Sequence, residues 1–132
     1  AALNAFHNGL LTKGIITICS PSSIEGTVID FTRAIGAGEK LVPHIIDRIE
    51  KKYQRKTRDF SPTSFMSNYN LPGLVIQDRD DFEVPMRHAV ELSAEWKSAK
   101  CIYTEGLGHR KVLSDPLVLE EIGQFILSLC RH

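Results

Sequence analysis

The 132-residue sequence has no surplus of charge, no long apolar run and no internal repeat, and each absence removes a class of protein. Sixteen Lys and Arg balance sixteen Asp and Glu, so no overall field recommends a nucleic acid or an anionic membrane as partner. The apolar runs fall short of a membrane span, and Ala1-Ala2-Leu3-Asn4-Ala5 lacks the charge-then-apolar layout of a signal peptide. Only three cysteines are present, Cys19, Cys101 and Cys130. Odd in number and far apart, they fit neither a disulfide framework nor close zinc-ligand pairs, and a reducing cytoplasm is the simplest setting. His7, His44, His88 and His132 form no ligand spacing, and no metal or organic cofactor is implied.

What remains is a chain with 42% hydrophobic residues, enough for one domain with a moderate core. Ala1 to His7 reads as a helix stopped at Asn8-Gly9. Gly14 to Cys19 is a β-branched apolar run, as expected of a strand buried on both faces. Ser22-Ser23-Ile24-Glu25 has the form of a capping box, and Ile24, Val28, Phe31 and Ile35 continue it as an apolar helical stripe. A second helical stripe runs through Val42, Ile45, Ile46, Ile49 and Tyr53, with Pro43 in the first turn. Its basic end, Lys51, Lys52, Arg55, Lys56 and Arg58, is read as a solvated face suited to a helix C-terminus.

Leu71 to Gln77 gives the second strand, opening into Asp78-Arg79-Asp80-Asp81. Pro85 begins a helix whose face is Met86, Ala89, Val90 and Ala94, with Trp96 near its end as core. The third strand is Lys100 to Thr104, followed by Glu105-Gly106-Leu107-Gly108-His109. Asp115-Pro116 then opens a helix with the stripe Val118, Ile122, Phe125, Ile126 and Leu129. Alternation of this kind predicts an α/β fold, a three-layer α/β/α arrangement of about three parallel strands with right-handed helical crossovers. Residues 38–70 exceed what a crossover needs and read as a small helical cap-like insert over the carboxyl ends of the strands. Phe60, Phe65 and Tyr69 there either line an acyl pocket or pack.

Loops at the carboxyl edge of a parallel sheet converge on one crevice. The loops after the second and third strands leave adjacent strands, so a carboxylate and the imidazole of His109 meet there although far apart in sequence. Such a pair fixes the imidazole tautomer and stabilises the imidazolium, as a general base serving a serine requires.

Leu74 to Pro85, an apolar strand followed by a turn, an Asp and Val84-Pro85, resembles the acid loop of the α/β-hydrolases. Glu105 to Arg110 resembles that family's histidine loop, in which small residues precede the base. The resemblance covers essentially the whole chain and implies that Asp81 is the acid and His109 the base of a Ser-Asp-His triad, in the family's chain order. Asp80 is the alternative acid if the register is one residue off, and Asp81 has the alternative role of an anion at a helix N-terminus. Asp78 stands where the family often has glycine. Cys19 reads as a small buried hydrophobe rather than a nucleophile.

No G-x-S-x-G occurs in the sequence, and Ser20, Ser22 and Ser23 lack flanking glycines. By resemblance the chain is the C-terminal part of a serine hydrolase acting on a carboxylic ester or similar acyl substrate. The first helix then begins roughly one or two turns beyond the missing serine. The alternative is a non-catalytic remnant that works only by association with another chain. Either way the first strand has lost a neighbour, so its bare edge is expected to pair with the missing N-terminal half or with a second copy.

Overall fold

The computed structural model describes residues 1–131. Three parallel strands, β1 (Ile15–Ile18), β2 (Gly73–Asp78) and β3 (Ala99–Thr104), lie side by side in that order. Ile15 pairs with Gly73, and Gly73 with Ala99, so all three strands start level. Six helices accompany them: α1 (Ala2–His7), α2 (Ile24–Ala34), α3 (Val42–Tyr53), α4 (Arg87–Glu95), α5 (Gly108–Lys111) and α6 (Pro116–Cys130). Between α2 and β2 the chain adds short 3-10 turns at Glu39–Leu41, Thr57–Phe60, Pro62–Ser64 and Met66–Asn68.

Every residue of β2 is buried, as befits a central strand covered on both faces. The pleat divides its side chains. Val75 joins a cluster with Leu3 of α1, Phe65, Met66, and Ala89, Leu92 and Trp96 from α4 and its end. Leu74 and Ile76 join the opposite cluster, with Cys19, Val112 and Val118 of α6. Phe65 and Met66 are therefore core residues, so the end of the 38–70 stretch is part of the fold's interior. Trp96 lies across the start of β2 and donates from Nε1 to the Leu71 carbonyl at 2.7 Å. A Cβ on Gly73 would stand 2.1 Å from the Trp96 ring, so only glycine admits this packing.

Apart from the short α5, the helices occur where periodicity places them, but several details differ. Ser23, not Ser22, caps α2, its Oγ accepting from the Gly26 N–H at 3.0 Å. Ser22 is instead drawn into a buried contact with His88 at 2.8 Å. Phe31 and Ile35, assigned to the apolar stripe of α2, are 55% and 56% exposed. In α4 the buried face is His88, Ala89 and Leu92, whereas Val90 is 53% exposed. Pro85 precedes α4, and its carbonyl accepts the His88 N–H at 3.0 Å. The α6 cap is as expected, with Asp115 Oδ1 accepting from the Leu117 and Val118 N–H groups.

The basic end of α3 is largely compensated locally. Lys51 pairs with Asp47, Lys56 with Glu50, and Arg55 lies over the Phe60 ring at 4.5 Å. This is the solvated face expected of it. No helix of the described residues is long and apolar enough to cross a membrane.

Gly73→Ala is expected to lower stability by roughly 1–3 kcal/mol, the usual cost of forcing extra volume into a packed core. Urea unfolding followed by Trp96 fluorescence measures it; an unchanged midpoint would show that the ring is free to withdraw.

Candidate functional site

Three parallel strands that start level, two of them ending together at Asp78 and Thr104, bring their following loops to one edge, and the chemistry-bearing side chains gather there. Asp78 is the last residue of β2, opposite Thr104 at the end of β3. Its fully buried carboxylate accepts four hydrogen bonds. Oδ1 takes the N–H groups of Asp80 (3.0 Å) and Gly108 (2.9 Å), and Oδ2 takes the Thr104 hydroxyl (2.7 Å) and the Leu107 N–H (3.1 Å). Burial by itself would raise its pKa, but the donors from Thr104, Gly108, Asp80 and Leu107 outweigh it and hold the carboxyl below the ordinary value of 3.8. The acid loop and the histidine loop are thus tied by one anion.

Asp80 adds a second tie, its Oδ2 accepting from the Gly106 N–H at 2.8 Å. Gly106 and Gly108 both have positive φ, 76° and 62°, so the loop turns where only glycine is unstrained. That turn starts α5, and His109 sits in this short helix rather than in an open loop.

With Asp78 and Asp80 engaged elsewhere, Asp81 meets His109. Asp81 Oδ1 accepts from the Glu83 and Val84 N–H groups, both at 2.9 Å, which fixes the carboxylate. Oδ2 lies 2.9 Å from His109 Nδ1 and 3.4 Å from Gln77 Nε2. Gln77 also donates to the Val84 carbonyl at 2.8 Å, bracing the loop from inside. Burial pushes the Asp81 carboxyl up, but hydrogen bonds from Val84, His109, Cys19 and Glu83 win and leave it below 3.8. An ionised Asp81 accepts, so Nδ1 carries the proton and Nε2 keeps its lone pair. The His109 side chain remains one-third exposed (33%), and no hydrogen bond to Nε2 occurs among the described residues.

The third member of the group is Cys19, just beyond β1. It is buried and adopts φ 46°, a left-handed conformation unusual for a side chain with a Cβ. Burial is the main cause pushing its thiol up to about 12, helped by the Asp81 and Asp78 charges, so the sulfur keeps its proton.

A second polar cluster was not visible in the sequence. His88 is 1% exposed; its Nδ1 accepts the Ser22 N–H (3.2 Å), and its Nε2–H donates to Asp30 Oδ2 (2.7 Å). The Ser22 hydroxyl donates to Glu91 Oε2 (2.5 Å), and Arg87 bridges Asp30 (2.8 Å) and Glu91 (3.2 Å). Burial disfavours the Asp30 anion, but Arg87 and His88 more than offset this and lower its pKa. Although it combines Ser, His and Asp, this cluster offers no nucleophile. Ser22 has no exposed surface, and the His88 lone pair is taken by a backbone N–H. It joins α2 to α4, and Gly26 makes room for it: a Cβ there would stand 2.8 Å from His88 Cε1.

Among the other candidates, Phe60 lines an apolar cavity of about 320 Å³ with Asn4, Ile24, Ile49 and Tyr53. Phe65 is core, and Tyr69 packs edge-on against Phe6 and hydrogen-bonds His7. His132 lies outside the described residues.

Because the Asp78 and Asp81 pKa values are depressed in the folded state, their stabilisation is present above the unfolded value of 3.8 and is lost as pH falls through the lower folded values. Asp78→Asn is expected to cost at least about 2 kcal/mol at neutral pH, since two donors lose their acceptor at roughly 1–3 kcal/mol each. It should also flatten the acid limb of a stability-versus-pH curve; an unchanged acid limb would place the acid-sensitive groups elsewhere.

No protein-family model and no curated protein matches this chain.

Proposed function

We propose that this chain is the C-terminal part of an α/β-hydrolase, supplying the acid, Asp81, and the base, His109, of a Ser-Asp-His triad that cleaves a carboxylic ester or similar acyl substrate. The observation that carries the reading is the 2.9 Å contact between Asp81 Oδ2 and His109 Nδ1, with the other carboxylate oxygen pinned by two backbone amides. The sequence order of acid and base and the parallel three-stranded sheet agree with it. In this reading the sheet is the end of a larger three-layer α/β/α sandwich, and the part of the 38–70 stretch that precedes the core residue Phe65 forms its cap.

The chemistry follows from the tautomer. His109 Nε2 takes the proton of an attacking serine hydroxyl, and Asp81 orients the ring and stabilises the imidazolium. The serine comes from outside these 132 residues, which contain no G-x-S-x-G. Three free cysteines, Cys19, Cys101 and Cys130, suit a reducing, cytoplasmic setting.

A second reading rests on a different observation. Strand β1 pairs only with β2, so among the described residues its other edge carries unpaired backbone groups. A chain with that edge and no nucleophile also fits a non-catalytic remnant that acts by pairing with another chain, either a missing N-terminal half or a second copy.

Two measurements separate these readings. The first is intact mass of the purified material under denaturing conditions, together with turnover of a short-chain aryl ester. The hydrolase reading expects an upstream segment bearing a G-x-S-x-G serine, and a fall in kcat of at least about 10³-fold on His109→Ala. Turnover by the 132-residue chain alone would sink the assignment of an external serine. The second is light scattering of the isolated chain, expected to report a dimer or larger species. A monodisperse monomer at high concentration would show that the β1 edge needs no partner.

A further inference from the structure

The Cys19, Asp81 and His109 group offers more than a proton relay. One ligating atom from each, a thiol sulfur, a carboxylate oxygen and an imidazole nitrogen, lies within 4.8 Å of the other two. We propose that these three side chains form a site for a borderline-soft divalent ion of the zinc class, with the fourth coordination position open on the His109 side.

Four observations carry this. The donor set is one that zinc selects, sulfur, nitrogen and oxygen, and three protein ligands with one open position is the arrangement of an accessible zinc site. The ligands are pre-positioned, because Cys19 directly follows β1 and the loops that carry Asp81 and His109 beyond β2 and β3 are tied together through Asp78. The supporting bonds are in place: Asp81 Oδ1 is held by the Glu83 and Val84 amides, which leaves Oδ2 to face the ligand group. Finally, the charges close. One divalent ion, one thiolate and one carboxylate sum to zero beside a neutral imidazole, which suits a place where Cys19 and Asp81 are each only 4% exposed. The 33% exposure of the His109 side chain leaves a way in.

The protons balance simply. In the ion-free state the His109 Nδ1 proton points at Asp81 Oδ2, and the Cys19 thiol keeps its own proton. On binding, the thiol proton leaves to solvent as the metal–sulfur bond forms. The imidazole proton transfers to Nε2, which has no partner among the described residues, and Nδ1 becomes the ligand. Asp78 stays outside the site because its two oxygens already accept four donors. Spacings of 62 and 28 residues between the ligands hide the site from any sequence motif.

Binding stands on this geometry alone; its consequence rests on the hydrolase reading. An ion held here occupies the carboxylate and the imidazole that the proton relay needs, so zinc would silence the intact hydrolase.

The experiment is a titration of the chain with cobalt(II) as a spectroscopic stand-in for zinc. One equivalent is expected to produce a sulfur-to-cobalt charge-transfer band and the visible bands of four-coordinate cobalt, both removed by zinc. Cys19→Ser should abolish the charge-transfer band, whereas Cys101→Ser and Cys130→Ser should retain it. Zinc affinity should fall in Cys19→Ser by about 100-fold or more, beyond the roughly 10–100-fold typical of losing a supporting hydrogen bond. No band, or a band that persists in Cys19→Ser, overturns the site. Should Cys19→Ser fail to fold, as judged by circular dichroism, the partly exposed His109→Ala decides. Undiminished zinc affinity in that variant overturns the proposal, and a loss of about 100-fold supports it. An intact protein without ester turnover would remove the hydrolase reading and leave the cobalt result standing.

Discussion

A carboxylate with no solvent contact is stable only if protein donors replace its water, and Asp78 meets that demand by gathering four of them from the ends of two strands. Because Asp80, Thr104, Leu107 and Gly108 all donate to one anion, the acid and histidine loops cannot move independently. The placement of His109 against Asp81 is a consequence. Gly106 and Gly108 supply the positive φ values that let the backbone turn its N–H groups toward Asp78. The next residue is then carried into α5 with its imidazole at the carboxylate. The depressed pKa of Asp78 has the same cause, since donors that fix the loops also favour its charged form.

Three neighbouring aspartates consequently do three different things. Asp78 clamps, Asp80 secures Gly106, and Asp81 has one oxygen anchored to the backbone and one left for chemistry. The distinction also removes the alternative in which Asp80 faces the histidine. The same logic, a buried polar group compensated from a distant element, governs the Ser22, Asp30, Arg87 and His88 cluster. It fixes α2 against α4, so the region between β1 and β2 is tied to the helix that follows the acid loop.

The apolar interior supports this edge rather than competing with it. Val75 serves one cluster while Leu74 and Ile76 serve the other, so β2 is held from both faces and its end, Asp78, has a fixed position. Trp96 over Gly73 secures the opposite end of the same strand. With both ends of the central strand anchored and the two loops tied to Asp78, the geometry of Cys19, Asp81 and His109 is set by the sheet edge and these ties together.

The strands, the order of elements and the two loops were legible in the sequence because each depends on local pattern: β-branched runs, glycines before His109, and Asp115-Pro116 at a helix start. Local pattern reports which residues share a side of a helix, not how much of that side a neighbour covers. Phe31, Ile35 and Val90 therefore look like core in sequence and lie more than half exposed in the fold. His88 shows the converse. Its partners Asp30 and Ser22 stand 58 and 66 residues away, and no spacing rule spans that distance. The sequence by itself determined where the chain turns, which segments become strands, and that an acid and a histidine follow adjacent strands. The tertiary structure decided which of three aspartates meets His109, that Asp78 binds the two loops together, and that Cys19 joins them. Those outcomes depend on strand register and on competition among buried donors for a limited number of acceptors, and neither exists until the sheet has formed.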